Sequence, residues 1–395
     1  MAEVDGRRSF LLLAITGAFA ILSSTLSKTP ALPLFAVHLG ATPPQIGWVA
    51  MASTVSGILI SVPAGMLADR ADRRRLLLLS LLVFATAPFL YLAVGHIAML
   101  AVVRFYHGFA TAIFGTVASA WIAGRYIEDR ARMLSTYSSI TIIGRSMAPF
   151  LGGMLISLSG FPAVYLVCAA AGVLALALGT RLPPDQKKPH PPEPQLAAWR
   201  SSRTALAATL RNGALLATSV TEAAQYFVFG ATETFLAAYA KAHGITAWKI
   251  GIILGVQLVC VALLKPFAGH AADRIGRRPV ILTGLATATI GVCLIPVVAP
   301  AEALATLSII FGAGFAGVTS STGALVSDLS RQDQLGTSMG VLRTIMDTGQ
   351  AAGPVVTGGV IGAWGYTAGF EMLATILLST ALWFGLRVPE TGARR

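Results

Sequence analysis

Only three cysteines occur in 395 residues, Cys168, Cys260 and Cys293, far apart and each inside an apolar run. That spacing excludes a disulfide framework and a thiolate metal site, and leaves them as small interior side chains. Charge is equally scarce: Asp, Glu, Lys and Arg make up 12% of the chain against 55% apolar residues. No pair of water-soluble domains has that balance, so the solvent of this chain is lipid. No His/Cys/Asp/Glu group has ligand spacing, no serine sits in a nucleophile turn, and no glycine loop reads as a phosphate cradle. The signatures of a metalloenzyme, a hydrolase and an ATP-driven pump are therefore missing. Acids number 17 against 29 bases, for a formal charge of +12. The bases form no single patch with aromatics between them, which argues against nucleic acid as a partner.

Instead, the bases alternate with twelve apolar runs long enough to cross a bilayer. These spans are expected at 9–37, 44–68, 76–95, 98–124, 133–157, 161–181, 212–240, 246–272, 279–298, 301–327, 336–362 and 365–387. The first is too long for a cleaved signal peptide and is expected to stay as a membrane helix. If the N-terminus is cytoplasmic, 22 of the 29 Lys and Arg fall on that side, two opposite, and five within spans. Positive charge stays inside, so both termini are expected in the cytoplasm. Six prolines between Leu182 and Arg203 cannot continue a helix. This stretch reads as a linker over 182–211, between a bundle at 1–181 and another at 212–395.

The strongest motif occurs twice. Gly65 to Arg75 reads GMLADRADRRR, and Gly269 to Pro279 reads GHAADRIGRRP. Adding 204 to Gly65, Asp69, Arg70, Arg73 and Arg74 lands on Gly269, Asp273, Arg274, Arg277 and Arg278, five identities at one offset. The halves are a duplication. This loop between adjacent spans resembles the signature loop of the major facilitator superfamily, and the resemblance covers nearly the whole chain. It implies an all-α integral membrane protein with twelve transmembrane helices in two pseudo-symmetric six-helix bundles. It also implies a conformational latch, in which Asp69 and Asp273 face the positive end of a helix from the opposite half and the arginines hold them. The alternative reading of the arginines is retained cytoplasmic charge alone.

Span 5 carries GRSMAPFLGGML from Gly144, and span 11 carries GQAAGPVVTGGVIG from Gly349. At an offset of 205, Gly144, Pro149 and Gly153 map to Gly349, Pro354 and Gly358. The first string is similar to the helix-5 motif of the family's proton-coupled exporters, with Ala148 in place of one glycine. Gly144, Gly152, Gly153, Gly353, Gly358 and Gly359 would let helices approach closely, while Pro149 and Pro354 permit bending. In span 4, Arg104 and Gly108 match the family's buried-arginine motif, with His107 where glutamine is usual. The resemblance links Arg104 to proton movement; the alternative is a static ion pair.

Span 7 supplies acids. Glu222 and Glu233 are eleven residues apart, within about 20° of one direction on a helix, and Tyr226 and Phe229 share the stripe. Such a stripe is expected to face a central cavity, with Glu222 taking up the coupling proton. Lys28 in span 1 is related to Glu233 by the offset of 205 and has the opposite charge. Either the two pair when the outer mouth closes, or Lys28 attracts an anionic part of the substrate. Arg343 and Asp347 are expected to neutralise each other, Lys265 and Glu371 to reach toward nearby surfaces, and Arg145 has no acid within a turn. The leading expectation is a proton-coupled exporter of a small organic solute, amphipathic or partly anionic, acting as a monomer in the plasma (inner) membrane. Its partners are then solute, protons and lipid, without cofactor or metal. Import, lipid translocation or a non-transporting receptor on the same scaffold are the alternatives.

Overall fold

The structure is a computed structural model that describes residues 2–70, 72–127, 129–184, 212–330 and 335–388. The expected linker lies outside these residues from position 185 to 211. The helices are α1 Ala2–Leu26, α2 Ala31–His38, α3 Pro43–Arg70, α4 Arg73–Leu92, α5 Ile97–Arg125, α6 Arg130–Gly179, α7 Gly213–Ala242, α8 Ala247–Ile275, α9 Arg277–Cys293, α10 Ala301–Leu329 and α11 Leu335–Arg387. Among the described residues eight helical stretches are long and apolar enough to cross a membrane. Two of them, in α6 and α11, are two spans long, and α3 and α7, at 28 and 30 residues, complete the twelve. At 1.5 Å per residue these two are about 42–45 Å long, ample for a hydrocarbon layer of about 30 Å.

Glycine turns the chain at corresponding places in the two repeats. The long helix α6 bends at Gly160 (φ 78°, ψ −173°), and α11 bends at Gly365 (φ 82°, ψ 175°), 205 residues later. That region of backbone space is essentially closed to residues with a Cβ. Helix α2 ends with Gly40 at φ +77° and an Ala41 N–H to Ala36 C=O bond; α7 ends with Gly244 at φ +77° and an Ile245 N–H to Ala240 C=O bond. Both are left-handed glycine caps, which satisfy carbonyls that a helix end leaves open.

The first span is not the single rod expected. It breaks at Ser27–Pro30, because Pro30 has no N–H to donate, and the break puts Lys28 and Thr29 on a turn between α1 and α2. The Thr29–Pro30 peptide is cis.

Two compact units emerge from the packing, one of residues 1–187 with 233–255, the other of 188–232 with 256–395. In the first, α1 lies along α6, α3 along α5, and α4 against both α5 and α6. Its core holds Leu13, Leu77, Phe84, Phe114 and Trp121. In the second, α9 packs against α10 and α11. Glycines bring backbones together in each. A Cβ at Gly144 would lie 2.7 Å from the Ala18 carbonyl oxygen, and one at Gly349 would collide with the carbonyl of Ala223, the equivalent residue. Gly353 is closed in the same way by the Phe227 carbonyl, whereas a Cβ at Gly359 meets nothing within 4 Å.

Gly353→Ala is therefore expected to lower the stability of the purified protein by about 1–3 kcal/mol through overpacking, while Gly359→Ala leaves it within experimental error. Thermal unfolding in detergent reads both; equal melting temperatures for the two variants would contradict the packing described.

Candidate functional site

The Lys28–Glu233 pair joins the turn at the Pro30 break in span 1 to a residue inside the unbroken helix α7. Lys28 Nζ lies 2.6 Å from Glu233 Oε2, and Thr29 Oγ1 donates to Glu233 Oε1 at 2.7 Å. Both carboxylate oxygens are thus satisfied. The Glu233 side chain is 7% exposed and that of Lys28 27%, so the lysine is the more open partner. Leu32, Ala36, Ile46 and Val49 form the apolar wall of a recess beside the pair. Gly152 permits the arrangement: a Cβ there would press on Pro30 at 3.0 Å and Leu26 at 3.2 Å. Gly153 likewise meets Gly251 backbone to backbone, its Cβ position 2.8 Å from Gly251 Cα, and Pro149 sends its carbonyl to the same crossing.

Arg104 and His107 sit deeper in the same unit. Arg104 is 4% exposed and stands against Tyr91. His107 is packed inside the bundle at 1% exposure. Its Nδ1 is 3.4 Å from Tyr91 Oη and 3.5 Å from Ser27 Oγ, and Phe84 meets its ring edge-on at 5.6 Å. Tyr91 in turn stacks on Tyr165 at 4.6 Å. The tyrosines carry no mark in the sequence that separates them from other span aromatics.

In the second unit Glu222 is buried and accepts a hydrogen bond from Thr322 Oγ1 of α10. Lys265 lies within electrostatic reach of this carboxylate, rather than only reaching toward a surface as the sequence suggested. Tyr226 meets Phe315 at 5.1 Å, and Phe229 lies 4.5 Å from Phe315 and 6.5 Å from Phe311. Phe229 is 3% exposed, so it is core rather than open cavity wall. The two acids of the α7 stripe thus turn to different partners. Arg343 and Asp347 do approach, at 3.9 Å.

Of the latch residues, the side chains of Asp69 and Arg70 lie outside those described. Asp273 pairs with Arg277 at 2.6 Å, and Arg277 also reaches Asp328 at 3.3 Å; Arg274 is exposed. Arg73 donates from Nε to the Ala68 carbonyl. A Cβ at Gly65 would have Thr116 at 3.9 Å, and one at Gly269 nothing within 4 Å. The neighbouring arginines act in parallel: Arg74 Nη2 donates to the Thr180 carbonyl at 2.6 Å, and Arg278 Nη2 to the Gly385 carbonyl at 2.5 Å. Each caps the C-terminal end of its repeat's last span, where carbonyls are open and the helix dipole is negative.

A family model of the Major Facilitator Superfamily matches residues 12–256 and 218–395. An uncharacterised MFS-type transporter of Methanocaldococcus jannaschii is 22% identical over 88% of this chain and 92% of its own length. The multidrug resistance protein MdtG of Enterobacter lignolyticus is 23% identical over 99% of this chain and 95% of its own. The class E tetracycline resistance protein of Escherichia coli is 31% identical over 33% of this chain and 32% of its own. Among solved structures, a mutant of the nucleoside transporter NupG superposes with a TM-score of 0.82 at 16% identity, covering 96% of this chain and all of that one. A bacterial homologue of the human lysosomal transporter Spinster, inward-facing and occupied, gives 0.80 at 16% identity, over 96% of each. The fold is that of major facilitator transporters.

Removing one partner of a buried ion pair costs about 3–5 kcal/mol. Lys28→Glu and Glu233→Lys are each expected to lower the melting temperature, and the double exchange to recover most of the loss. A double variant no more stable than the worse single one would show that the two charges do not support each other.

Proposed function

The chain belongs to the Major Facilitator Superfamily, and on that premise we propose that this transporter is a proton-coupled exporter of small organic solutes. Its bundles at 1–181 and 212–395 alternate in access to a site near the bilayer midplane, with both termini in the cytoplasm and the monomer as the working unit. Export is supported by relatives that are multidrug and tetracycline resistance proteins and one that is a drug efflux pump.

The observation that carries proton coupling is Glu222. A carboxylate is expensive in the interior of a membrane protein and marks a proton or ion path by default. Here it lies in the first half of α7, with Thr322 as donor and Lys265 near. Protonation removes the charge that Lys265 attracts and, with the proton on Oε2, makes that oxygen a donor, so the Thr322 hydroxyl turns from donor to acceptor. That gives α7 and α10 two arrangements, one for each protonation state. Lys28 and Glu233 close the outer end in one phase of the cycle, and their separation opens it.

Uptake is the second reading, since direction follows from coupling rather than fold. Proteoliposomes with an imposed pH gradient, tested with tetracycline-class and nucleoside solutes, decide between them. The wild-type chain is expected to move solute against the proton flow, and Glu222→Gln to lose gradient-driven flux at least about tenfold while still exchanging solute across the bilayer. Full gradient-driven flux in Glu222→Gln would remove Glu222 from coupling, and solute moving with the proton would replace export by uptake.

A further inference from the structure

The geometry points to Thr322 as the positioning residue that lets Glu222 give up its proton. This deepens the coupling role of Glu222 proposed above and rests on it. A threonine hydroxyl has one proton to donate. At Thr322 Oγ1 two acceptors lie within its reach, Oε2 of Glu222 and, at 3.0 Å, the carbonyl of Val318 one turn back along α10. With Glu222 neutral, its Oε2–H donates to Oγ1, and the hydroxyl proton goes to the Val318 carbonyl. With Glu222 ionised, the hydroxyl turns to Oε2, and the Val318 carbonyl keeps the backbone N–H that the helix supplies. The departing proton passes to the aqueous phase, and the threonine keeps its own. Both states are thus hydrogen-bonded, and rotation about one bond interconverts them. Glu233 differs, since an ammonium on one oxygen and a hydroxyl on the other hold it in the ionised form.

The set belongs to one repeat only. An offset of 204 carries α5 onto α10 and the start of α3 onto that of α8. The equivalents of Thr322 and Lys265 are then Ala118 and Ser61, and that of Glu222, at an offset of 205, is Gly17. Ala118 is fully buried, and Ser61 turns back onto the Gly57 carbonyl at 2.6 Å. Packing alone does not call for acid, hydroxyl and ammonium, because the first repeat builds the same helices without any of the three. Among the described residues, Lys265 on α8 is the charged group within electrostatic reach of Glu222. Tyr226, the titratable neighbour a turn along α7, stands against Phe315. Lys265 attracts the ionised form, whereas Thr322 touches the oxygen that loses the proton.

Removing the hydroxyl takes a charge-assisted hydrogen bond from the carboxylate but only a weaker, neutral one from the acid, so the acid persists. The test uses the full chain in phosphatidylcholine nanodiscs, without solute or gradient. Infrared difference spectra against Glu222→Gln isolate the carboxylic C=O band of Glu222 across pH. Thr322→Val and Thr322→Ala are expected to keep that band to about one pH unit above the wild type. Thr322→Ser, which retains the hydroxyl, is expected to follow the wild type. Loosened packing would admit water and ionise the acid at lower pH, the opposite shift. No band in the wild type, a band lost at the same or lower pH in Thr322→Val and Thr322→Ala, or a Thr322→Ser that moves with them would overturn the inference. Full gradient-driven flux in Glu222→Gln would end the coupling role by a separate measurement and leave this titration standing.

Discussion

An ammonium held 2.6 Å from a buried carboxylate ties the turn between α1 and α2 to the last third of α7, and the rest of the arrangement depends on it. Taking two charges out of water costs several kcal/mol for each, and their attraction offsets this only when the remaining hydrogen-bonding capacity is met. Thr29 meets it on the second carboxylate oxygen. The Pro30 break places Lys28 and Thr29 on the turn between α1 and α2, from which both reach Glu233. Gly152 supplies the room. Such a pair is a poor source of net stability but a good switch, because it is strong when made and costly when half broken.

The duplicated chain uses its symmetry for architecture. Gly160 and Gly365 make equivalent bends, Gly40 and Gly244 equivalent caps, and Arg74 and Arg278 equivalent clamps on the last span of each repeat. Chemistry enters where the repeats differ. The equivalent of Glu233 is Lys28, and the equivalent of Glu222 is Gly17, which packs so closely on Tyr137 that a Cβ would lie 2.8 Å from its hydroxyl. One repeat spends that position on helix packing, the other on a titratable group. Paired spans of like shape and unlike charge are what a transporter needs if its two halves are to move alike and bind differently.

Much of this was legible in the sequence for a physical reason. Span length, the paired glycines and the repeated arginine loop are set by local constraints of bilayer thickness and backbone freedom, so they show at fixed spacing. The Lys28–Glu233 pair could be anticipated because charge in a span is scarce and the repeat offset aligns the two. Other parts had no such signal. Thr29 and Thr322 are second partners to the acids, but threonine is common in spans and says nothing of its neighbour. The clamps of Arg74 and Arg278 end on backbone carbonyls, which every residue carries. Lys265 is brought near Glu222, and His107 is enclosed by Tyr91 and Phe84, through tertiary packing that helical periodicity does not encode.

The central claim is that the Lys28–Glu233 contact makes and breaks as the transporter works. Spin labels at Leu39, just after α2, and Lys241, in the last turn of α7, report it through their distance distribution in nanodiscs. The account predicts two populations in the wild-type chain, shifted to the longer distance by Glu233→Gln. A single distribution, identical in both proteins and at every pH, would mean that the pair is a fixed strut and would contradict the account.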